Sequence, residues 1–404
     1  MLKSIIANDE LLGKNKSYYK RILLHFLNNG YDTIANISKS LGLSAPTVTK
    51  LLDEMSQLGL VRKQGKLDTG GGRHPYFYDL NPEACYFAGV DIRQSSASMA
   101  IIDLCSNVIA KDDDIPYEAA NTPESLDNLC ELIKDFLTRT DVDLTHIINI
   151  CVNVSGRVNS EKGYSYSMFN FLNKPLADVL SQKVGLKMSI DNDSRSMAYG
   201  EYMFVRPRLS QNIIFINVGW GIGIGMIFGG EVYRGKSGFA GEIGHMVTYN
   251  NEVMCHCGKK GCLETEASGR ALHRKLCQRM AAGENSLIAE RYLQHGNITL
   301  DDILDAIAHE DLLCLELIED VGRELGRWLA GIINIFNPDE VIVGGVLSET
   351  GDSLLQPISV GMRRYSLNMV NMDTRISLSK LGRDAGVLGA CAMARSKAFD
   401  EIFV

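Results

Sequence analysis

The chain has 404 residues, 45% of them hydrophobic, which is enough for two or three domains with well-buried cores. Its longest apolar runs, such as NIIFINVGWGIGIGMIFGG, are broken by glycines and never reach about 20 uninterrupted lipid-compatible residues, so no membrane span is expected. The net charge of −8 is unevenly spread: residues 1–75 carry 11 Lys+Arg against 6 Asp+Glu, and the remainder 30 against 43, the pattern of a nucleic-acid-binding head on an acidic body.

The first twenty residues hold acidic side chains where a secretory signal needs an apolar core, so a cytoplasmic protein is expected. Apolar residues then recur at helical spacing. Leu23, Phe26 and Leu27 mark a first helix, and Ile34, Ile37 and Leu41 a second. In GLSAPTVTKLLDEMSQLGLV, Gly42 supplies a tight turn, Ser44 an N-cap, and Pro46 sits in the first helical turn, where it is tolerated. Val48, Leu51, Leu52, Met55 and Leu58 share one face of this third helix. Ala45, Thr47, Thr49 and Lys50 are left on the other, the recognition surface of a helix-turn-helix. VRKQGKLDTGGGRHPYFYDL reads as two short strands around a glycine-rich basic tip, a wing whose Gly70–Gly72 permit close backbone approach. Arg73 at that tip can reach a minor groove or a phosphate. Expected DNA contacts are therefore Ser44, Ala45, Thr47, Thr49, Lys50 and Arg73. A three-helix protein-interaction module is the competing reading, and it leaves the cap, the basic tip and the local charge without a common cause.

The body repeats a pattern. YFAGVDIRQSSASMAIIDL (86–104) and NIIFINVGWGIGIGMIFGG (212–230) both run strand, turn, strand, and each precedes helical segments. Two lobes built on such hairpins would face each other across a cleft. Ten cysteines are scattered except for one cluster, MCHCGKKGCLE, which spells Cys255-x-Cys257-x4-Cys262 with His245 ten positions upstream. In a reducing compartment such a cluster favours a metal over disulfides.

Taken together, GEIGHMVTYNNEVMCHCGKKGCLE, DNDSRSMAYGE and NPDEVIVGGVLS resemble the ROK family, named for repressors, open reading frames and sugar kinases. The winged helix in front is similar to its repressor branch, the N-acetylglucosamine- and xylose-type transcriptional regulators. The resemblance implies an α/β chain. A winged helix-turn-helix over residues 1–80 would be followed by a two-lobed actin-like (ribonuclease H-like) sugar-kinase fold over 81–404. Lobe one would take about 81–195 plus a C-terminal helix at 387–404, and lobe two about 196–386.

It also implies a zinc ion held by His245, Cys255, Cys257 and Cys262, four protein ligands with no open position, hence structural. His256 is a rival ligand, set aside on the expectation that its side chain points away in an extended segment. Carboxylates accept hydrogen bonds from paired hydroxyls. By resemblance Glu242, His245 and Glu264 contact a sugar, as do Asn192 and Asp193, with Ser155, Gly156 and Asn170 lining the same pocket. Asp193 matches the kinases' general base, and the family's later asparagine in that motif is Arg195 here.

The kinases' first phosphate turn reads Asp-x-Gly-Gly-Thr-Lys. This chain has Asp91-Ile92-Arg93-Gln94-Ser95-Ser96, and Trp220 stands where kinases place threonine in the second turn. No catalytic residue is therefore expected, ATP is not expected to bind, and Asp193 is read as a vestigial base. The expectation is a repressor binding operator DNA, with palindromic half-sites that call for a homodimer or homotetramer, and a sugar or sugar-phosphate effector. A sugar kinase with a fused DNA-binding domain, and a repressor controlled by a protein partner, are the alternatives.

Overall fold

The computed structural model describes residues 15–66, 76–205, 210–296 and 298–403. Three helices open it: α1 (Lys16–Asn29), α2 (Ile34–Leu41) and α3 (Ala45–Gln57). Their shared core holds Ile22, Leu23 and Phe26 of α1, Ile37 of α2, and Val48, Leu51, Leu52 and Met55 of α3. Leu27, Ile34, Leu41 and Leu58, placed on the same faces by spacing, are half-buried at the rim. Gly42 closes α2 in the left-handed region at φ 65°, and the Ser44 side chain accepts from Thr47 N, so turn and cap form where the residue types direct them. Strands β1 (Asp32–Thr33), β2 (Val61–Lys66) and β3 (Tyr76–Leu80) make a small sheet in the order β1-β3-β2, with β2 and β3 antiparallel as the two sides of a wing. The expected tip, with Gly70–Gly72 and Arg73, lies outside the described residues.

Two five-stranded sheets follow, and they have the same topology. In the first, β4 (Tyr86–Ile92), β5 (Ser96–Asp103) and β6 (Val108–Pro116) form an antiparallel meander. After α4 (Pro123–Arg139), β7 (Ile147–Val154) adds parallel to β4. A two-residue hairpin, β8 (Val158–Asn159) and β9 (Tyr164–Ser165), and α5 (Leu176–Val184) lead to β10 (Met188–Asn192), parallel to β7. Helix α6 (Asp193–Gly200) comes next.

The second sheet repeats the plan. Strands β11 (Ile213–Val218), β12 (Ile222–Phe228) and β13 (Glu231–Val232) are the meander. Helices α7 (Glu264–Ala267), α8 (Gly269–Ala281), α9 (Ala289–His295), α10 (Leu300–Ala308) and α11 (Leu312–Phe336) precede β14 (Glu340–Gly344), parallel to β11. Helices α12 (Asp352–Tyr365) and α13 (Asn368–Asp373) lead to β15 (Arg375–Leu378), parallel to β14. The strand orders, β10-β7-β4-β5-β6 and β13-β12-β11-β14-β15, are therefore one arrangement used twice. This is the order expected of an actin-like pair, and it explains the recurring strand, turn, strand pattern.

Helix α14 (Ala385–Ile402) closes the chain's path by returning to the first sheet. Contacts divide the protein into two compact units, one running to Asp193 and taking up Gly386 onward, the other Ser194–Ala385; the winged helix falls within the first. Among the described residues no helix is long and apolar enough to cross a membrane.

The stretch DVGRELGRWLAGIINIF is core along one face: Val321, Leu325, Leu329 and Ile333 are at most 1% exposed. Close approach of α11 to α12 depends on Gly326, where a Cβ would strike the Ile358 carbonyl and come within 3.0 Å of Gly361 Cα. Gly326→Leu is expected to force these helices apart and lower stability by about 1–3 kcal/mol. Equilibrium urea unfolding would register this as a lower midpoint at an unchanged m-value.

Candidate metal centre and ligand site

The cysteine cluster lies on a knuckle between β13 and α7. Gly258 N donates to Cys255 O at 2.9 Å, turning the chain back so that Cys255 and Cys257 share one side. Gly261 sits at φ 72° with its Cα against the Tyr249 carbonyl, where any side chain would collide. Tetrahedral zinc with Zn–S near 2.3 Å and Zn–N near 2.0 Å has S···N and S···S edges of roughly 3.5 and 3.8 Å. Here Cys255 Sγ lies 3.5 Å from His245 Nδ1 and Cys257 Sγ lies 3.6 Å from Cys262 Sγ, and all four ligand atoms fall within 4.8 Å of one another. Burial raises the Cys255 thiol and pushes that of Cys262 up to about 12. At Cys257 burial acts in the same direction, but backbone and thiol hydrogen bonds and Lys259 outweigh it and bring the thiol down. The donor set and its edges fit a tetrahedral metal ion.

The Nδ1 atom of His245 faces the thiols, which leaves Nε2 on the other side, 3.8 Å from Glu242 Oε2. Both side chains are accessible, at 27% and 36% exposure, so an imidazole N–H and a carboxylate are presented together. Glu264 differs. Its carboxylate is 7% exposed, one oxygen 2.8 Å from His256 Nδ1 and the other accepting from Ile222 N at 3.2 Å beneath the Gly221 turn. The expectation that His256 points away is corrected here: the segment is a turn, not an extended strand, and the turn swings the ring inward, 5.0 Å from that of His245. His245, His256 and Glu264 thereby form a second group of converging donors.

In the other unit, Ser155 Oγ donates to Asp193 Oδ2 at 2.8 Å. Asn192 Nδ2 donates to Asp193 Oδ1 at 2.8 Å and to Gly156 O at 3.1 Å. Four of the expected sugar contacts are thus one hydrogen-bonded group at the end of β10. Asn170 is not joined to them by these bonds. It pairs with Asn121, whose Nδ2 donates to Asn170 Oδ1 at 2.7 Å while its Oδ1 accepts from Asn170 N at 3.1 Å. Nothing in the sequence marks Asn121 as a buttress for a residue 49 positions away.

The first hairpin turn is closed on itself. Arg93 reaches Asp91 at 3.4 Å and Asp114 at 2.9 Å, and the Gln94 and Ser95 carbonyls accept from Ala119 N and Tyr117 N. Asp91 is fully buried, and desolvation raises its pKa above the usual carboxylate value. At the second turn, Trp220 is flanked by the Arg270 guanidinium at 5.8 Å and the His273 ring at 5.5 Å. The first amides of α8 are occupied by this turn, Gly269 N donating to Gly219 O and Arg270 N to Trp220 O.

On the winged helix, Ser44, Ala45, Thr47 and Lys50 are exposed. Thr49 is half-buried, with its hydroxyl donating to Ala45 O at 2.9 Å. The Lys50 ammonium lies 3.8 Å from Glu54, whose other oxygen accepts from Tyr19 at 2.6 Å.

The ROK family model matches residues 87–397. The chain belongs to the ROK family. A MarR family model matches residues 19–73, the winged helix-turn-helix that precedes the ROK domain. The chain is similar to the xylose repressor of Caldicellulosiruptor bescii, 29% identical over 384 residues and covering 93% of this chain and 94% of that protein. Among solved structures it is similar to a ROK family transcriptional regulator described as a homolog of the Escherichia coli MLC protein. That structure has a TM-score of 0.81 at 26% identity and covers 96% of this chain and 98% of its own. It is also similar to a ROK family glucokinase from Streptomyces griseus in complex with glucose and AMPPNP, with a TM-score of 0.67 at 28% identity over 77% of this chain and 99% of that one. The two sheets therefore have the actin-like fold of the ROK kinases, with a winged helix in front.

Proposed function

We propose that this chain is a sugar-responsive transcriptional repressor. A head of about residues 1–80 binds operator half-sites with α3 and the wing, and the ROK domain of about 81–404 takes up a sugar or sugar derivative beside a structural zinc held by His245, Cys255, Cys257 and Cys262. The observation that carries the reading is the union, in one chain, of a capped helix with an exposed polar face and a ROK domain, an arrangement matched along 93% of the chain by a xylose repressor. Glu242, the Nε2 edge of His245, and the Ser155–Asn192–Asp193 group are the hydroxyl-binding groups, and Glu264 supports the zinc knuckle through His256. Twofold-symmetric half-sites ask for two or four copies. Sugar that weakens DNA binding must itself bind the DNA complex more weakly by the same factor, typically about 1–3 kcal/mol.

Sugar kinase is the second reading, favoured by Asp193 and by the likeness to a glucokinase. The first turn counts against it, because the Arg93 amide already donates to Ser96 O at 2.8 Å and the Arg93 side chain is folded onto Asp91, where a phosphate would need a glycine's close backbone approach.

Thermal unfolding of the metal-replete protein against a panel of sugars, with and without Mg-ATP, separates these readings. The effector at about 100 times its Kd should stabilise by about 2.7 kcal/mol, a rise of roughly 5–10 °C. Mg-ATP should add nothing. A further rise with Mg-ATP, together with turnover, would make the protein a kinase, and no rise with any sugar would remove the effector.

A further inference from the structure

Arg195 is the departure from the family motif that the reading above leaves unexplained. It is 3% exposed, an arginine inside the second unit. Its Nη1 donates to Gly238 O at 2.6 Å, on the loop that runs from β13 to Glu242. That loop is hard to order. Gly235, Gly238 and Gly241 all have positive φ, at 68°, 83° and 97°, so each third residue is a glycine in a conformation with high unfolded-state entropy. Among the described residues its backbone hydrogen bonds include Tyr233 N to Met226 O, Ala240 N to Arg234 O, and Ile243 N to Gly241 O. The arginine itself stands on a firm base. Ser194 and Arg195 lie directly on Gly223 and Gly225 of β12, where a Cβ would collide with Ser194 or approach Arg195 Cα at 3.1 Å, and Asn217 Nδ2 donates to Ser194 Oγ at 3.1 Å.

We propose that Arg195 is a positioning residue: its guanidinium ties the apex of the 233–241 loop to β12, and through Gly241 fixes where Glu242 presents its carboxylate. A charge-assisted hydrogen bond in a buried setting is about twice as strong as a neutral one, which suits an anchor at the apex of a glycine-rich loop whose far end, at Gly241, packs on Ile224 O of β12. An asparagine at this position is too short to reach such an apex. Effector affinity therefore depends on a residue that need not touch the effector. The inference rests on the sugar-binding reading for its second readout and on geometry alone for its first.

The test compares wild type with Arg195→Met, which keeps bulk and removes the donors, and Arg195→Lys, which keeps one donor head. Arg234 and Lys236 place two tryptic sites in the loop. In native protein the Met variant should be cleaved there at least about tenfold faster and need at least about tenfold more of the sugar that stabilises wild type, with the Lys variant intermediate in both. Zinc content should stay at the wild-type level. Equal cleavage rates and equal sugar response in wild type and Met variant would overturn the proposal. Should the Met variant fail to fold, wild type against Lys decides, and identity of those two in both readouts overturns it. A wild type that no sugar stabilises would sink the effector reading while leaving the cleavage comparison to judge the anchor.

Discussion

Removing the metal is expected to lower the melting temperature by at least about 10 °C and to abolish the response to sugar. A structural zinc contributes about 10–16 kcal/mol to folding in isolated peptides, and even a third of that, at roughly 2–4 °C per kcal/mol for a unit of this size, produces such a shift. The segment at stake is long: from β13 at Val232 to α7 at Glu264 the chain has a three-residue 3-10 turn and isolated bridges as its regular structure. Its path is set by convergence of three thiols and an imidazole. Without a metal, the Cys257–Cys262 approach of 3.6 Å rests on a few hydrogen bonds and isolated bridges, and the placement of Glu242 and His245 is expected to loosen. Cys262→Ser, at a position with no solvent exposure, should reproduce the effect of a chelator, whereas Cys277→Ser, outside the cluster, should change little. The decisive measurement pairs calorimetry with elemental analysis. Protein shown to be metal-free that melts with the untreated sample would dismiss the structural role.

The second large effect is expected at the DNA surface. Replacing Thr47 by Ala and Lys50 by Gln together should weaken operator binding about 30–300-fold while leaving the melting temperature within about 1 °C, because both side chains project from α3 into solvent. Lys50 is 73% exposed, and its ion pair with Glu54 is long at 3.8 Å, so little stability is lost with it. The salt dependence carries the sharper test. Losing one phosphate contact reduces the slope of log K against log salt by about 0.9. An unchanged slope and affinity in a titration over 50–200 mM salt would place the interface elsewhere on the winged helix.

Where local chemistry decides a feature, the sequence discloses it. The winged helix follows from apolar spacing, a left-handed Gly42 and the Ser44 cap, all of which act within a few residues. The convergence of Cys255, Cys257 and Cys262 follows from thiol spacing, and the doubled sheet from a doubled strand pattern. Features that depend on encounters between distant segments stay hidden. Asn121 supports Asn170 from 49 positions away, and Arg195 reaches Gly238 from 43. The His256 ring differs from expectation for a local reason: an extended backbone would send it outward, while the turn between Cys255 and Gly258 sends it to Glu264. Glu264 in turn has in His256 a neighbour that its motif does not imply.

The returning helix α14 has a consequence for biosynthesis. It seats on β4 so closely that a Cβ on Gly89 would lie 2.5 Å from Cys391 N and Val387 O, and it accepts hydrogen bonds from the buried Asn149 and Asn153 through the Ala394 and Gly386 carbonyls. All of Ser194–Ala385 is translated between β10 and this helix. At about 5–20 residues per second the ribosome needs about 10–40 s to cross that interval, during which β4 lacks its covering helix and the Asn149 and Asn153 amides keep Ser189 and Asp91 as partners but lack their second acceptors. The winged helix emerges early and needs none of this. A nascent chain therefore carries its winged helix ahead of an unfinished first sheet, and the interval before that sheet is covered is set by the length of the inserted second unit.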